Sequence, residues 1–171
     1  ISPDDKIHVT ERSAKSLDES DKMKVSVGSG VLTVRWDGQW FRRFFNINLG
    51  WFGQKDKELE VLLPAGLSQE LITLDVSNTG GDMSVTGCKA ETVDISTVSG
   101  ELNVSACSGD EMNMNTVSGG VELSNVSASG SMIVNTVSGG MEFSGVTSEA
   151  LMIDTVSGSC RLSGQAAEFN A

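Results

Sequence analysis

Four copies of Thr-Val-Ser-Gly punctuate the second half of the chain, at Thr97–Gly100, Thr116–Gly119, Thr136–Gly139 and Thr155–Gly158. Their glycines stand 19, 20 and 19 residues apart, and one further step back reaches Gly81 in the degenerate copy Asn78-Thr79-Gly80-Gly81. Self-similarity at a fixed period of about 20 residues marks a solenoid, in which each unit buries its apolar side only by stacking on the next. No other feature of the sequence narrows the folding options as far.

Aligning the units shows what the period carries. Two residues after each glycine stand Met83, Leu102, Val121, Met141 and Cys160; four after it stand Val85, Val104, Leu123, Phe143 and Leu162. Ser84, Asn103, Glu122, Glu142 and Arg161 lie between them, so the run alternates apolar, polar, apolar, the pattern of a strand with one face buried. A second strand precedes each Thr, with the inward pairs Leu74/Val76, Val93/Ile95, Met112/Met114, Met132/Val134 and Leu151/Ile153. Cys88, Cys107, Val126 and Val146, each seven residues after a glycine, form another inward column. The valines of the four copies (Val98, Val117, Val137, Val156) are expected to point inward as well, flanked by the Thr and Ser columns.

Spacing of two, with Val, Ile, Ser and Thr abundant, excludes a helical reading of these runs. A coil of 19 residues at about 3.3 Å per residue is long enough to wrap two layers about 10 Å apart, and successive coils would pair at about 4.8 Å. The Ser-Gly pairs suit corners. The extra residue of the 20-residue unit falls in Ser127–Ser131, where an insertion costs little. The expected fold is all-β: a single-stranded parallel β-helix of about five coils, right-handed by the crossover rule. Residues 67–171 make the repeats, and residues 1–66 make a β-rich section without the coil period, read as an N-terminal cap over the first coil's open edge. Within it Lys6–Thr10, Met23–Val27, Val31–Trp36 and Leu59–Pro64 alternate like strands, with a turn at Gly28-Ser29-Gly30.

Charge is uneven. Residues 1–74 hold 10 Lys/Arg against 11 Asp/Glu, whereas residues 75–171 hold 2 against 12, together giving the formal net charge of −11. So acidic a solenoid repels phosphate backbones, which argues against nucleic acid as a partner. No apolar run approaches the roughly 18 residues of a membrane span. The chain opens on Ile1-Ser2-Pro3 without an initiator Met, as expected if a preceding segment has been removed. Phe169-Asn170-Ala171 resembles the start of another inward-facing strand, either folding over as a lid or leading into further coils. Cys88 and Cys107 occupy one column in adjacent coils, within disulfide range, and are expected to stack as buried thiols.

Seven of the nine aromatic residues crowd into Trp36–Phe52: Trp36, Trp40, Phe41, Phe44, Phe45, Trp51 and Phe52, together with Arg42 and Arg43. The rings suit a core for the N-terminal section. That is the first reading; the alternatives are a contact patch for a protein, since Trp and Arg anchor interfaces, and an interfacial membrane loop. These nine residues are the candidate partner-contact site.

Candidates for catalysis are sparse. His8 is the one histidine, without a second His or an acidic pair at ligand spacing, and reads as a surface residue. No Gly-x-Ser-x-Gly elbow, Cys-x-x-Cys pair, calcium repeat or phosphate loop occurs. Glu122 and Glu142 share an outward column, at a separation compatible with retaining glycoside hydrolysis. The column reads Ser84, Asn103, Glu122, Glu142, Arg161, however, which is an ordinary solvated strand face. Ser77, Ser96, Asn115, Asn135 and Asp154 form a further polar column able to hydrogen-bond from coil to coil. No catalytic residue, metal ligand or cofactor is assigned.

Leu59–Pro64, then Asn78-Thr79-Gly80-Gly81-Asp82, then the Thr-Val-Ser-Gly copies, together resemble a bacterial adhesin-like domain family of unknown function, widespread in Gram-positive bacteria. The resemblance covers nearly the whole chain, apart from Trp36–Phe52. It implies a β-solenoid with a non-catalytic role at the cell envelope, on the surface or membrane-associated, with an unidentified protein or glycan ligand. Some relatives are tied to envelope-stress responses, so a sensor domain, at the cytoplasmic face, is the alternative. A polysaccharide-cleaving enzyme is a distant third. Membrane contact would fall to the aromatic segment, and self-association to the solenoid ends.

Overall fold

The structure, a computed structural model, describes residues 1–13, 22, 24–35, 57–69 and 71–170. It divides into two compact units, Ser2–Pro64 and Ala65–Ala171, the second also including Ile1.

In the first unit, β1 (His8–Ser13), β2 (Lys24–Gly28), β3 (Val31–Arg35) and β4 (Lys57–Leu62) form two antiparallel pairs. β1 pairs with β4 from His8 opposite Leu62 to Ser13 opposite Lys57. β2 and β3 form a hairpin closed by Ser29 and Gly30, both at positive φ (52° and 77°). That two-residue primed turn matches the twist of its strands.

The second unit opens with a single 3-10 turn, Leu67–Gln69, followed by the expected parallel β-solenoid of about five turns. Its strands are β5 (Leu71–Asn78), β6 (Met83–Thr86), β7 (Lys89–Ser99), β8 (Leu102–Ser105), β9 (Ser108–Ser118), β10 (Val121–Ser124), β11 (Ser127–Ser138), β12 (Met141–Ser157) and β13 (Cys160–Asn170). The long strands stack as β5-β7-β9-β11-β12 and the short ones as β6-β8-β10-β12, so β12 runs through both layers and joins them into one sheet. β13 pairs with β12 beyond it. Every ladder in this sheet is parallel, and apart from a one-residue slip between β12 and β13 after Ser144 each keeps the register of the repeats: Val121 lies beside Leu102 and Met141, Leu123 beside Val104 and Phe143. The one irregularity on β11 falls between Ala128 and Ser131, where the 20-residue unit carries its extra residue. A bulge absorbs it without disturbing the ladder on either side.

The core is the set of columns expected from alternation. Val93, Ile95, Met112, Met114, Met132 and Val134 from the long strands face Leu102, Val104, Val121, Leu123 and Phe143 from the short ones, all buried. Cys88, Cys107, Val126 and Val146 close one side. Two kinds of corner bend the first four coils. The Ser-Gly corner holds Gly81, Gly100, Gly119 and Gly139 at φ 92°, 108°, 146° and 151°. Six residues on, Gly87, Ala106, Asn125 and Gly145 all adopt φ between 52° and 69°. No sequence signal marks this second corner, because its left-handed residue is not always Gly; Asn tolerates the conformation readily and Ala at some strain.

One expected column is reversed. Val98, Val117, Val137 and Val156 point outward, with exposures of 49%, 47%, 47% and 81%, while Thr97, Thr116 and Thr136 are buried at 3–4%. The cause is strand parity. β7 continues unbroken through Val93, Ile95 and Thr97, so Thr97 falls on the inward side with them and Val98 on the outer side. The corner comes only at the glycine. The threonine hydroxyls are unevenly satisfied: Thr97 Oγ1 donates to Ser99 O at 3.1 Å, but Thr116 Oγ1 and Thr136 Oγ1 are buried without a partner. An unpaired buried hydroxyl costs about 1–3 kcal/mol. Thr116→Val keeps the shape and removes that cost, so urea denaturation should show a gain of about 1 kcal/mol. A loss would mean that the hydroxyl is satisfied after all.

Candidate functional site

Trp36, Trp40, Phe41, Arg42, Arg43, Phe44, Phe45, Trp51 and Phe52 all lie outside the described residues. The described surface offers a different candidate, the outer face of the long strands.

The strands β7, β9, β11 and β12 each carry an outward Val two residues before the corner glycine. Thr97 pairs with Thr116 and Ser99 with Ser118, and the same register holds for Thr136 with Thr155 and Ser138 with Ser157. The four valines between them therefore form one column along the solenoid, about 4.8 Å per step. β-branched side chains on a hydrogen-bonded ladder lose little freedom when a partner covers them, which suits a preformed contact strip.

Beside the valines runs the polar column Ser77, Ser96, Asn115, Asn135, Asp154, in the register read from the repeats. Its members bond to one another: Ser96 Oγ donates to Ser77 Oγ at 3.1 Å, and Asn135 Nδ2 to Asn115 Oδ1 at 2.8 Å. The next column, Asp75, Asp94, Asn113, Ile133 and Met152, changes from acidic to apolar along the rod. Within it Asn113 Nδ2 donates to Asp94 Oδ1 at 2.9 Å. Because the amides and hydroxyls are engaged along the stack, the face is held in one arrangement. It combines an apolar edge with a hydrogen-bonding centre, the composition of a protein-contact surface. Parity carried from Val93 and Ile95 through Thr97 points these valines outward because the strand runs unbroken to Ser99, a stopping point that the sequence does not mark.

The remaining candidates lie elsewhere. Glu122 and Glu142 are neighbours in register on the opposite layer, and Arg161 Nη1 approaches Glu142 Oε1 at 3.7 Å with both side chains mostly in solvent. Such an exposed pair contributes little. His8 Nε2 lies 2.7 Å from Asp4 Oδ1 at the surface of the first unit, and that hydrogen bond holds the Asp4 carboxyl below its ordinary pKa. Asp110, Glu111, Glu149 and Glu168 line an open depression of about 710 Å³ on one flank of the solenoid. Among the described residues no cluster of three or more His, Cys, Asp or Glu could hold a metal ion, and no helix is long and apolar enough to cross a membrane.

The sequence profile of the Toastrack DUF4097 family matches residues 2–170, both units together. The chain belongs to the Toastrack DUF4097 family. No curated protein and no solved structure shows a significant match to it. The family is a domain of unknown function, as the resemblance implied, and its extent over nearly the whole sequence agrees with the coverage read from Leu59–Gly158. Membership in the Toastrack family carries the fold; it does not by itself assign a ligand.

Proposed function

We propose that this Toastrack domain is a non-enzymatic binding and scaffold module of a bacterial envelope-associated protein. The β-solenoid serves as a rigid rod, and the outer face of its long strands contacts an envelope protein or glycan in the manner of an adhesin. The observation that carries this reading is the exposed column Val98, Val117, Val137, Val156 beside hydrogen-bonded Ser and Asn ladders. Apolar side chains held in water on a stiff surface lower stability for no structural return, whereas they are what a partner would cover. The acidic repeat region, with 2 Lys/Arg against 12 Asp/Glu over residues 75–171, favours an uncharged or basic ligand over an anionic one.

The test is co-sedimentation of the purified domain with Gram-positive cell envelopes and with anionic liposomes. The wild type is compared with a Val117→Ser/Val137→Ser variant and a Trp40→Ser/Phe44→Ser variant. Envelope binding that weakens about tenfold in the valine variant, as expected for removing two contact methyl pairs, supports the reading. Equal binding by wild type and valine variant, or no envelope binding at all, sinks it. Loss confined to the Trp40/Phe44 variant would move the contact to the aromatic segment.

A further inference from the structure

The valine face leaves unexplained the two thiols on the other side of the core. Cys88 and Cys107 are 19 residues apart in sequence, and their sulfur atoms are 3.0 Å apart, with Cys88 donating. Both are free and buried, at 6% and 2% exposure. Ser108 N donates to Cys88 O at 2.9 Å, and Lys89 pairs with Ser108, so the two cysteines sit directly across one rung of adjacent coils. Neighbouring strands lie about 4.8 Å apart, inside the Cα separation of about 4.4–6.8 Å that a disulfide requires. Equivalent positions in the next two coils are Val126 and Val146, so valine fills this column elsewhere. Packing alone therefore does not demand a sulfur pair here.

We propose that Cys88 and Cys107 are a peroxide-oxidisable pair that closes to a disulfide and staples two neighbouring coils of the solenoid. The sulfurs need to approach by about 1 Å to reach bonding distance. The hydrogen bond from Cys88 favours the thiolate of Cys107 and holds that thiol below its ordinary range, outweighing burial; it and burial hold Cys88 above. When neutral, the Cys107 thiol faces the carbonyl oxygens of Ser105 at 3.3 Å and Val85 at 3.7 Å. Cys107 is accordingly the attacking sulfur. Its thiolate takes one oxygen from hydrogen peroxide; the O–O bond breaks and hydroxide leaves, becoming water on protonation. Cys88 Sγ then attacks the Cys107 sulfenic acid. The S–O bond breaks, and the departing hydroxide takes the Cys88 proton as a second water. Two thiols and one hydrogen peroxide give one disulfide and two waters, the sulfurs losing two electrons to the peroxide. A small oxidant suits the burial of the pair, which bulkier disulfides would reach only after local opening.

The experiment uses the full chain carrying Cys160→Ser, which removes the exposed third thiol. The folded protein is treated with dilute hydrogen peroxide, then denatured, alkylated and analysed by mass. The expected result is loss of both alkylatable thiols with a mass lower by two hydrogens. Trypsin, which cuts at Lys89, should then release a reducible peptide pair, and the thermal midpoint should rise by about 6–10 °C. Two thiols still alkylatable after treatment, or oxygen accumulating on Cys107 while Cys88 stays reduced, overturns the proposal. In Cys88→Ser a hydroxyl still donates to Cys107 but cannot resolve its sulfenic acid, so dimedone present while the treated protein is denatured should label Cys107. A folded variant without that adduct overturns Cys107 as the attacking sulfur. If Cys88→Ser does not fold, the Cys160→Ser arm decides alone.

Discussion

Gly119→Ala should lower the melting temperature of the domain by about 10 °C or more, while Gly120→Ala, one residue away, should leave it nearly unchanged. Gly119 sits at φ +146°, and a Cβ there would overlap the carbonyl oxygen of Gly100 in the coil beneath. Gly139 meets Gly119 in the same way, and Gly158 meets Gly139. These corners thus stack backbone directly on backbone, and the ladder spacing leaves no room for a methyl group. The strained conformation costs about 1–3 kcal/mol, and forcing the coils apart about 1–3 kcal/mol more. For a domain of this size each kcal/mol moves the midpoint by about 2–4 °C. Gly120 has no left-handed φ, and a methyl group on it would find its nearest neighbour, Gly140 O, 3.6 Å away, an ordinary contact. Scanning calorimetry on the two variants measures the contrast. Equal melting of both would mean that the corner glycines are not stacked as described.

The second large effect concerns two adjacent residues on one strand. Thr116→Asp should destabilise the fold by about 3–5 kcal/mol, because it places a carboxylate on the buried face with Met112, Met114 and the neighbouring threonines, where no cation is buried among the described residues. Val117→Asp should cost no more than about 1 kcal/mol, the range of strand preference at an exposed site, since its side chain stands in water. Urea midpoints with unchanged slopes measure both. The reverse ranking would restore the inward valines that residue type alone suggests, and would remove the contact strip on which the proposed function stands. The same Val117→Asp protein is a second reagent for the envelope-binding assay.

Much of this fold is legible in the sequence, for reasons that lie in the repeat. Alternation at a period of two identifies the buried pairs Val93/Ile95 and Leu102/Val104, and the 19-residue step aligns them with Met112/Met114 and Val121/Leu123. When every coil contacts only its neighbours, register in one unit dictates register in all of them. For the same reason the polar ladder from Ser77 to Asp154 and the insertion near Ala128 could be placed from the sequence. The stacking of Cys88 on Cys107 could also be placed, as a column, although the 3.0 Å approach of the sulfurs could not.

What the tertiary structure decided is where each strand stops. Val is more apolar than Thr and equally at home in a strand, so residue type favours burying Val98 and exposing Thr97. Side-chain direction, however, is inherited from the preceding residues for as long as the strand stays unbroken. Whether a corner resets that parity before Thr97 or only at Gly100 depends on how the coil closes against its neighbours, which no local pattern records. The second corner, at Gly87, Ala106, Asn125 and Gly145, leaves no uniform mark in the sequence because closure needs only a left-handed backbone there, and three residue types supply it. The repeat alone determined the β-solenoid and most of its core. The outward valine column, and with it the candidate contact face, emerged only when the coil closed, because closure sets the parity of the final strand residues.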